Sequence, residues 1–262
     1  MLTTRSWVAL GCGAYLAFAL AQLPAATAYR WLGAHALVLS GISGTIWSGH
    51  AELGALGNLP LRDVEWSVAP LALALGRISV TLAARPPDGL VSGSLSAGLW
   101  DIRFTDVRVT TSLDTLGTLL SLQGSRGTFS LDLDDLSLRD GWPVAAMGMV
   151  RIRDLQVLPL GAPPGSALLA LGDYELSSFE VADLRLAAAL RDEGGPLEIQ
   201  GTVMLALQTP GTLAGARPTF DGRVRERGAI PPELKTPLEF LTAEVDAEGW
   251  RTLNLDPWLR QL

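Results

Sequence analysis

The chain has one cysteine, Cys12, one lysine, Lys235, and two histidines, His35 and His50, among 262 residues. A single thiol excludes an intrachain disulfide. Neither histidine has a second His or Cys at ligand spacing, which argues against a zinc site. No G-x-S-x-G, G-x-x-x-x-G-K-[ST] or strand–helix G-x-G-x-x-G stretch is present. Residues Gly161 to Ser166 hold glycines and a serine but no lysine, and read as a loop. The usual nucleophile–base constellations cannot be built from this inventory, so we expect no enzyme, no catalytic residue, no cofactor and no metal. Basic charge is also short: acids outnumber bases 27 to 20, for a net charge of −7. That excludes a nucleic-acid binder working by phosphate neutralisation.

What the chain does have is apolar residues, 48%, enough to offset the entropy cost of ordering a globular fold. Its 28 glycines and 16 prolines imply many turns. From Ser6 to Tyr29, behind Arg5, run 24 residues without a charge. As one helix they would rise ~36 Å, against a hydrocarbon core of ~30 Å. Trp7 at one end, with Tyr29 and Trp31 at the other, fit an aromatic belt. We therefore expect membrane lipid around residues 6–29 and an anchor unit over residues 1–36, with Pro24 to about His35 extending the helix. The alternative is a signal peptide with Ala26-Thr27-Ala28 as an A-x-A site, cut after Ala28. Either way the remainder, 37–262, leaves the cytoplasm.

That remainder reads as mostly β, a large, curved antiparallel sheet with bulged strands and few short helices. Short runs of period two lie between Gly and Pro clusters, among them Ile78 to Leu82 and Leu197 to Leu205. Helices are expected at Ser112 to Leu120 and Pro232 to Leu241, Pro232 suiting a first turn. Asp192-Glu193-Gly194-Gly195 reads as a hairpin turn.

One unit recurs: apolar-x-apolar-x-Asp-apolar-x-apolar, centred on Asp63, Asp106, Asp135, Asp154 and Asp183. The alternation skips one place at each Asp. In a regular strand this would swing the apolar set to the opposite face. A β-bulge absorbs the extra residue and keeps both halves on one core. The alternative, a two-residue hairpin, fits less well because few of these sites carry glycine. Metal ligands should converge, whereas these aspartates repeat at separate strand breaks.

The densest local signal is Ser40-Gly41-Ile42-Ser43-Gly44-Thr45-Ile46-Trp47-Ser48-Gly49-His50-Ala51. It reads as a tight first hairpin or bulged strand outside the membrane, with Trp47 in the core. Here the chain resembles the type II (general) secretion pathway protein N family. The resemblance rests on Ser43, Gly44, Thr45, Trp47, Ser48 and Gly49. It continues through Trp66 and Pro70, then Gly172, then Gly195, Pro196, Leu197 and Gly201. It implies a single-pass inner-membrane protein of Gram-negative bacteria with its C-terminal domain in the periplasm. It implies partners among the other inner-membrane or periplasmic proteins of the machine that exports folded proteins. The family carries no known catalytic residues, so these positions are expected to be structural or partner contacts. The alternating pattern is also similar, more loosely, to AsmA-like proteins. With a mean hydropathy of +0.28, it leaves a lipid-binding module with an apolar groove as the alternative.

Overall fold

The computed structural model describes residues 11, 14–15, 18–32, 37–57, 59–120, 124–159, 166–182, 185–206, 217–228 and 230–255. Fourteen strands form one antiparallel sheet: β1 (Leu37–Gly44), β2 (Ser48–Leu56), β3 (Leu59–Val68), β4 (Ile78–Arg85), β5 (Leu90–Ala97), β6 (Asp101–Ser112), β7 (Arg126–Arg139), β8 (Trp142–Val157), β9 (Leu169–Ala182), β10 (Arg185–Gly194), β11 (Leu197–Ala206), β12 (Arg217–Glu226), β13 (Thr242–Val245) and β14 (Trp250–Leu255). Each strand pairs with its neighbour in sequence until the end, where β14 lies between β12 and β13. Among the described residues, besides helical positions before Gln22, the helices α1 (Ala25–Leu32), α2 (Pro70–Ala74), α3 (Leu113–Leu120) and α4 (Pro232–Leu241) accompany the sheet. The sequence anticipates α3 and α4 but not α2. Ser112 caps α3, its Oγ accepting from Thr115 N at 3.3 Å.

The period of two separates the faces. Cross-strand partners Val91, Val109, Leu131, Val150, Leu176 and Leu190 form one apolar row over six strands, each half-buried. One residue along, Thr110, Ser130, Arg151, Glu175 and Arg191 form a polar row on the opposite face. There Arg151 Nε lies 3.1 Å from Glu175, and Arg103 lies 3.3 Å from Asp135. The deepest packing is at the two ends of the sheet. Ala51, Leu59, Leu61, Val64 and Ala84 are buried together at one end. Leu197, Val224, Leu253 and Leu238 are buried at the other, Leu238 being delivered by α4.

Three of the expected bulges are present. Asp63-Val64 stand opposite Ala84, Asp106-Val107 opposite Gly93, and Arg153-Asp154 opposite Asp173. In each the aspartate has φ near +50°. That is the left-handed region, which short polar side chains tolerate better than other non-glycine residues. The bulge does what the parity shift requires: Leu59 and Leu61 before it, and Val64 and Trp66 after it, pack in one cluster.

The other two sites differ. At Asp135 the extra residue is its neighbour Asp134, left between the Leu133–Gly148 and Asp135–Met147 pairs. Asp135 itself stays in register with Thr105 and Met147. At the fifth site Asp183 and Leu184 lie outside the described residues; on either side of them Ala182 of β9 pairs with Arg185 of β10. The bulge in β9 comes earlier, at Ser178-Phe179 opposite Ala188, with Ser178 at φ +54°.

The N-terminal segment also departs from a single long helix. Gly11, Ala14, Tyr15 and Phe18 to Ala21 are helical, but a turn at Gln22 and non-helical Leu23 separate them from α1. Pro24 forms an isolated bridge with Thr45. No helix among the described residues is long and apolar enough to cross a membrane. Ser6 to Leu10, Cys12, Gly13, Leu16 and Ala17 of the expected span lie outside them. Tyr29 ties α1 to β1, its hydroxyl donating to Leu37 O and accepting from Leu39 N, both at 3.0 Å.

Candidate functional site

The Ser-Gly-Thr-Ile-Trp-Ser-Gly stretch is the β1–β2 turn, as its glycines lead one to expect. Thr45 organises it: its Oγ1 accepts from Trp47 N and Ser48 N, both at 3.3 Å, and its backbone N donates to Ser48 O at 2.9 Å. Ser43 Oγ donates weakly to His50 O at 3.4 Å. Gly49 faces Trp66, its direct partner on β3. A Cβ on Gly49 would overlap the Trp66 ring and sit 2.8 Å from Ser43 O. The indole is thereby laid across the turn, and its Nε1 donates to Thr45 O at 3.2 Å.

Trp47 is not in the core, contrary to expectation. It is half-buried against the N-terminal segment, Nε1 donating to Leu20 O at 2.9 Å. Ile46 N donates to Leu23 O at 3.1 Å. Leu20 O also accepts from Leu23 N at 3.3 Å, so the Trp47 donor is its second partner and fastens the end of the helical stretch to the turn. The family-motif residues Ser43 to Gly49 and Trp66 thus form a clamp between the segment and the sheet. Val68 N donates to Trp47 O at 2.7 Å, and Pro70 then opens α2 from an extended Ala69 with no side-chain cap.

A shallow cleft of about 470 Å³ lies beside this clamp, lined by Ser43, His50, Glu65, Trp66, Ser67 and Thr81. Ser43, His50 and Glu65 fall in one cross-strand row. Ser43 bonds the His50 carbonyl rather than its ring, so the row does not form a nucleophile–base relay. Among the described residues no three His, Cys, Asp or Glu side chains come together as a metal would require.

The second set of motif residues is more than 100 positions away in sequence, on β9, the β10–β11 turn and β11, toward the opposite rim. The structure does not bring it to the first set. Gly172, at φ +93°, packs backbone to backbone on the β10–β11 turn. A Cβ there would lie 2.7 Å from Gly195 Cα, and one on Gly195 would lie 3.0 Å from Leu171 C. Pro196 O accepts from Arg227 N at 2.8 Å, and Leu197 enters the end cluster. Gly201 pairs with Gly222 beneath the Phe220 ring, where a Cβ on either would meet Phe220 Cζ at under 3 Å.

This junction holds a group that the sequence reading missed. Asp192 reads from the sequence as part of a hairpin turn, yet its side chain is 1% exposed. Its Oδ2 lies 2.9 Å from Arg227 Nη2, and its Oδ1 accepts from Ile199 N at 3.4 Å. Tyr174 beside it donates to Leu171 O at 3.0 Å. Burial, with a smaller push from Asp192 and against the pull of Arg227, raises the Tyr174 hydroxyl to about 12. The signal was in the parity: Leu186, Ala188, Leu190 and Asp192 alternate along β10, which puts Asp192 on the apolar face. The cluster fastens one turn to its neighbours.

No curated protein and no solved structure matches the chain. The family model for type II secretion system protein N matches residues 35–254, which takes in both sets of motif residues and all but one residue of the described sheet. The chain belongs to the type II secretion system protein N family.

Proposed function

We propose that this protein is an inner-membrane-anchored component of the type II secretion machinery, supporting its assembly or output through partner contacts rather than catalysis. The family match over residues 35–254 carries the reading. The clamp supports it: a sheet fastened to the end of an apolar N-terminal segment suits a module held at the outer face of the inner membrane. In this reading the apolar segment before Gln22 lies in lipid, and the sheet, with α1 fastened to it through Tyr29, stands in the periplasm. Its partners are other secretion proteins of the inner membrane or periplasm. The test is a gene deletion in the native Gram-negative host. Exoproteins retained in the periplasm, and restored by the wild-type gene, are expected.

The half-buried apolar row from Val91 to Leu190 favours a second reading, an apolar groove for lipid. Normal secretion with altered envelope lipids in the deletion strain, together with lipid co-purifying with the protein, would select it over the first.

A further inference from the structure

Among the described residues, six large apolar side chains are more than 70% exposed. Two, Tyr15 and Trp31, belong to the N-terminal segment. The other four are Leu71 at 82%, Leu75 at 80%, Leu99 at 87% and Trp100 at 74%. Leu71 lies in α2 and Leu75 is its C-cap, while Leu99 and Trp100 make the β5–β6 turn. Turns are normally polar, so apolar tips on neighbouring connections call for a cover.

Antiparallel order puts these connections on one rim. The β1–β2 turn, the β3–β4 connection with α2, and the β5–β6 turn all lie where odd strands end or even strands begin. That is the rim where Trp47 holds Leu20 and Ile46 holds Leu23, the exit of the N-terminal segment. Val68 N bonds Trp47 O, so α2 begins directly beside the clamp. One ion pair at this rim, Arg77–Asp101 at 2.6 Å, neutralises itself, and Asp140 of the β7–β8 turn bonds Trp100 O through its backbone N at 3.0 Å.

We propose that this rim rests on the bilayer, with Leu71, Leu75, Leu99 and Trp100 in the headgroup–acyl boundary. The inference rests on the reading that the N-terminal segment is in the membrane. Leu and Trp are the residues that partition to that boundary, Trp through an apolar ring with one polar N–H.

The test uses the full chain in vesicles of phosphatidylethanolamine and phosphatidylglycerol, with and without spin-labelled lipids. Wild-type protein carries an environment-sensitive fluorophore on Cys12, which reports the anchor. In a Cys12→Ser background, Leu71→Cys, Leu99→Cys and Asp88→Cys carry the same label, Asp88 being on the opposite rim. The expected result is a blue-shifted, lipid-quenched label at 71 and 99 and an aqueous, unquenched label at 88. A quenched Cys12 with 71 and 99 as aqueous as 88 overturns the inference alone and leaves the rim to a protein partner. An unquenched Cys12 on protein that does not float with vesicles overturns the anchor reading, and the inference with it.

Discussion

Gly49 and Trp66 face each other across β2 and β3, and the indole fills the space that a side chain on Gly49 would need. The same indole closes the clamp through its bond to Thr45 O. Gly49→Ala must displace either the ring or the Ser43 carbonyl. The expected cost is about 2–4 kcal/mol, as for overpacking at a site that cannot relax. Thermal unfolding followed by circular dichroism measures it. A change within ~0.5 kcal/mol would show that the ring moves freely and that the clamp is loose.

The bulges make a prediction about charge. Asp154 sits at φ +52° with its N–H bonded to Asp173 Oδ1 at 2.7 Å. Asp154→Asn keeps a short polar side chain suited to the left-handed region and should change stability by less than ~0.5 kcal/mol. Asp154→Val should cost about 1–3 kcal/mol, because a β-branched residue is strained there. Deleting Asp154 should cost more than either, since it puts the apolar and polar faces out of step. Equal losses for Asn and Val in denaturant titrations would mean that the charge, and not the backbone, is what the site requires.

Tyr174 predicts a pH dependence. Its hydroxyl titrates near 10 when unfolded and near 12 in the folded chain. Between those values the native state holds a proton that the unfolded state has lost. Its contribution to stability is therefore complete below pH 10 and is lost as pH rises toward 12. Tyr174→Phe should flatten that part of the stability–pH curve and cost about 1 kcal/mol at neutral pH for the lost bond to Leu171 O. An unchanged slope in the variant would assign the alkaline loss to other groups.

Trp47→Phe tests the clamp from the other side. It keeps an aromatic ring but removes the donor to Leu20 O. The sheet should melt within ~1 kcal/mol of wild type. Hydrogen exchange should accelerate at Ile46 N, whose bond to Leu23 O belongs to the same junction. Unaltered exchange there would mean that the Trp47 donor is dispensable to the fastening.

The strands are legible because period two is a direct consequence of pleating, and the parity skip alone locates the bulges at Asp63, Asp106 and Asp154. The Asp183 site reads two ways for a physical reason. A bulge and a two-residue turn both advance the chain by one parity step, and only the partner strand distinguishes them. The break at Gln22 was hidden because a charge-free run reads alike whether its helix continues or stops. The clamp was half legible. Its glycines announced a hairpin, but nothing local says that Trp47 turns toward Leu20 while Trp66, nineteen residues on, turns inward. Asp192 could have been placed by alternation along β10. Arg227 could not, because its approach depends on a turn packing against a strand that follows it in the chain.

The next-neighbour strand order has a kinetic consequence. From β1 to β12 each new strand needs only the one made just before it, so loop closures are short and the chain can zip up in the order it is synthesised. Only β13 must wait, since it finds its place once β14, made after it, has docked on β12. A chain threaded outward behind its own N-terminal segment would offer its first hairpin to the clamp while the rest was still in transit, and would extend the sheet from there one hairpin at a time.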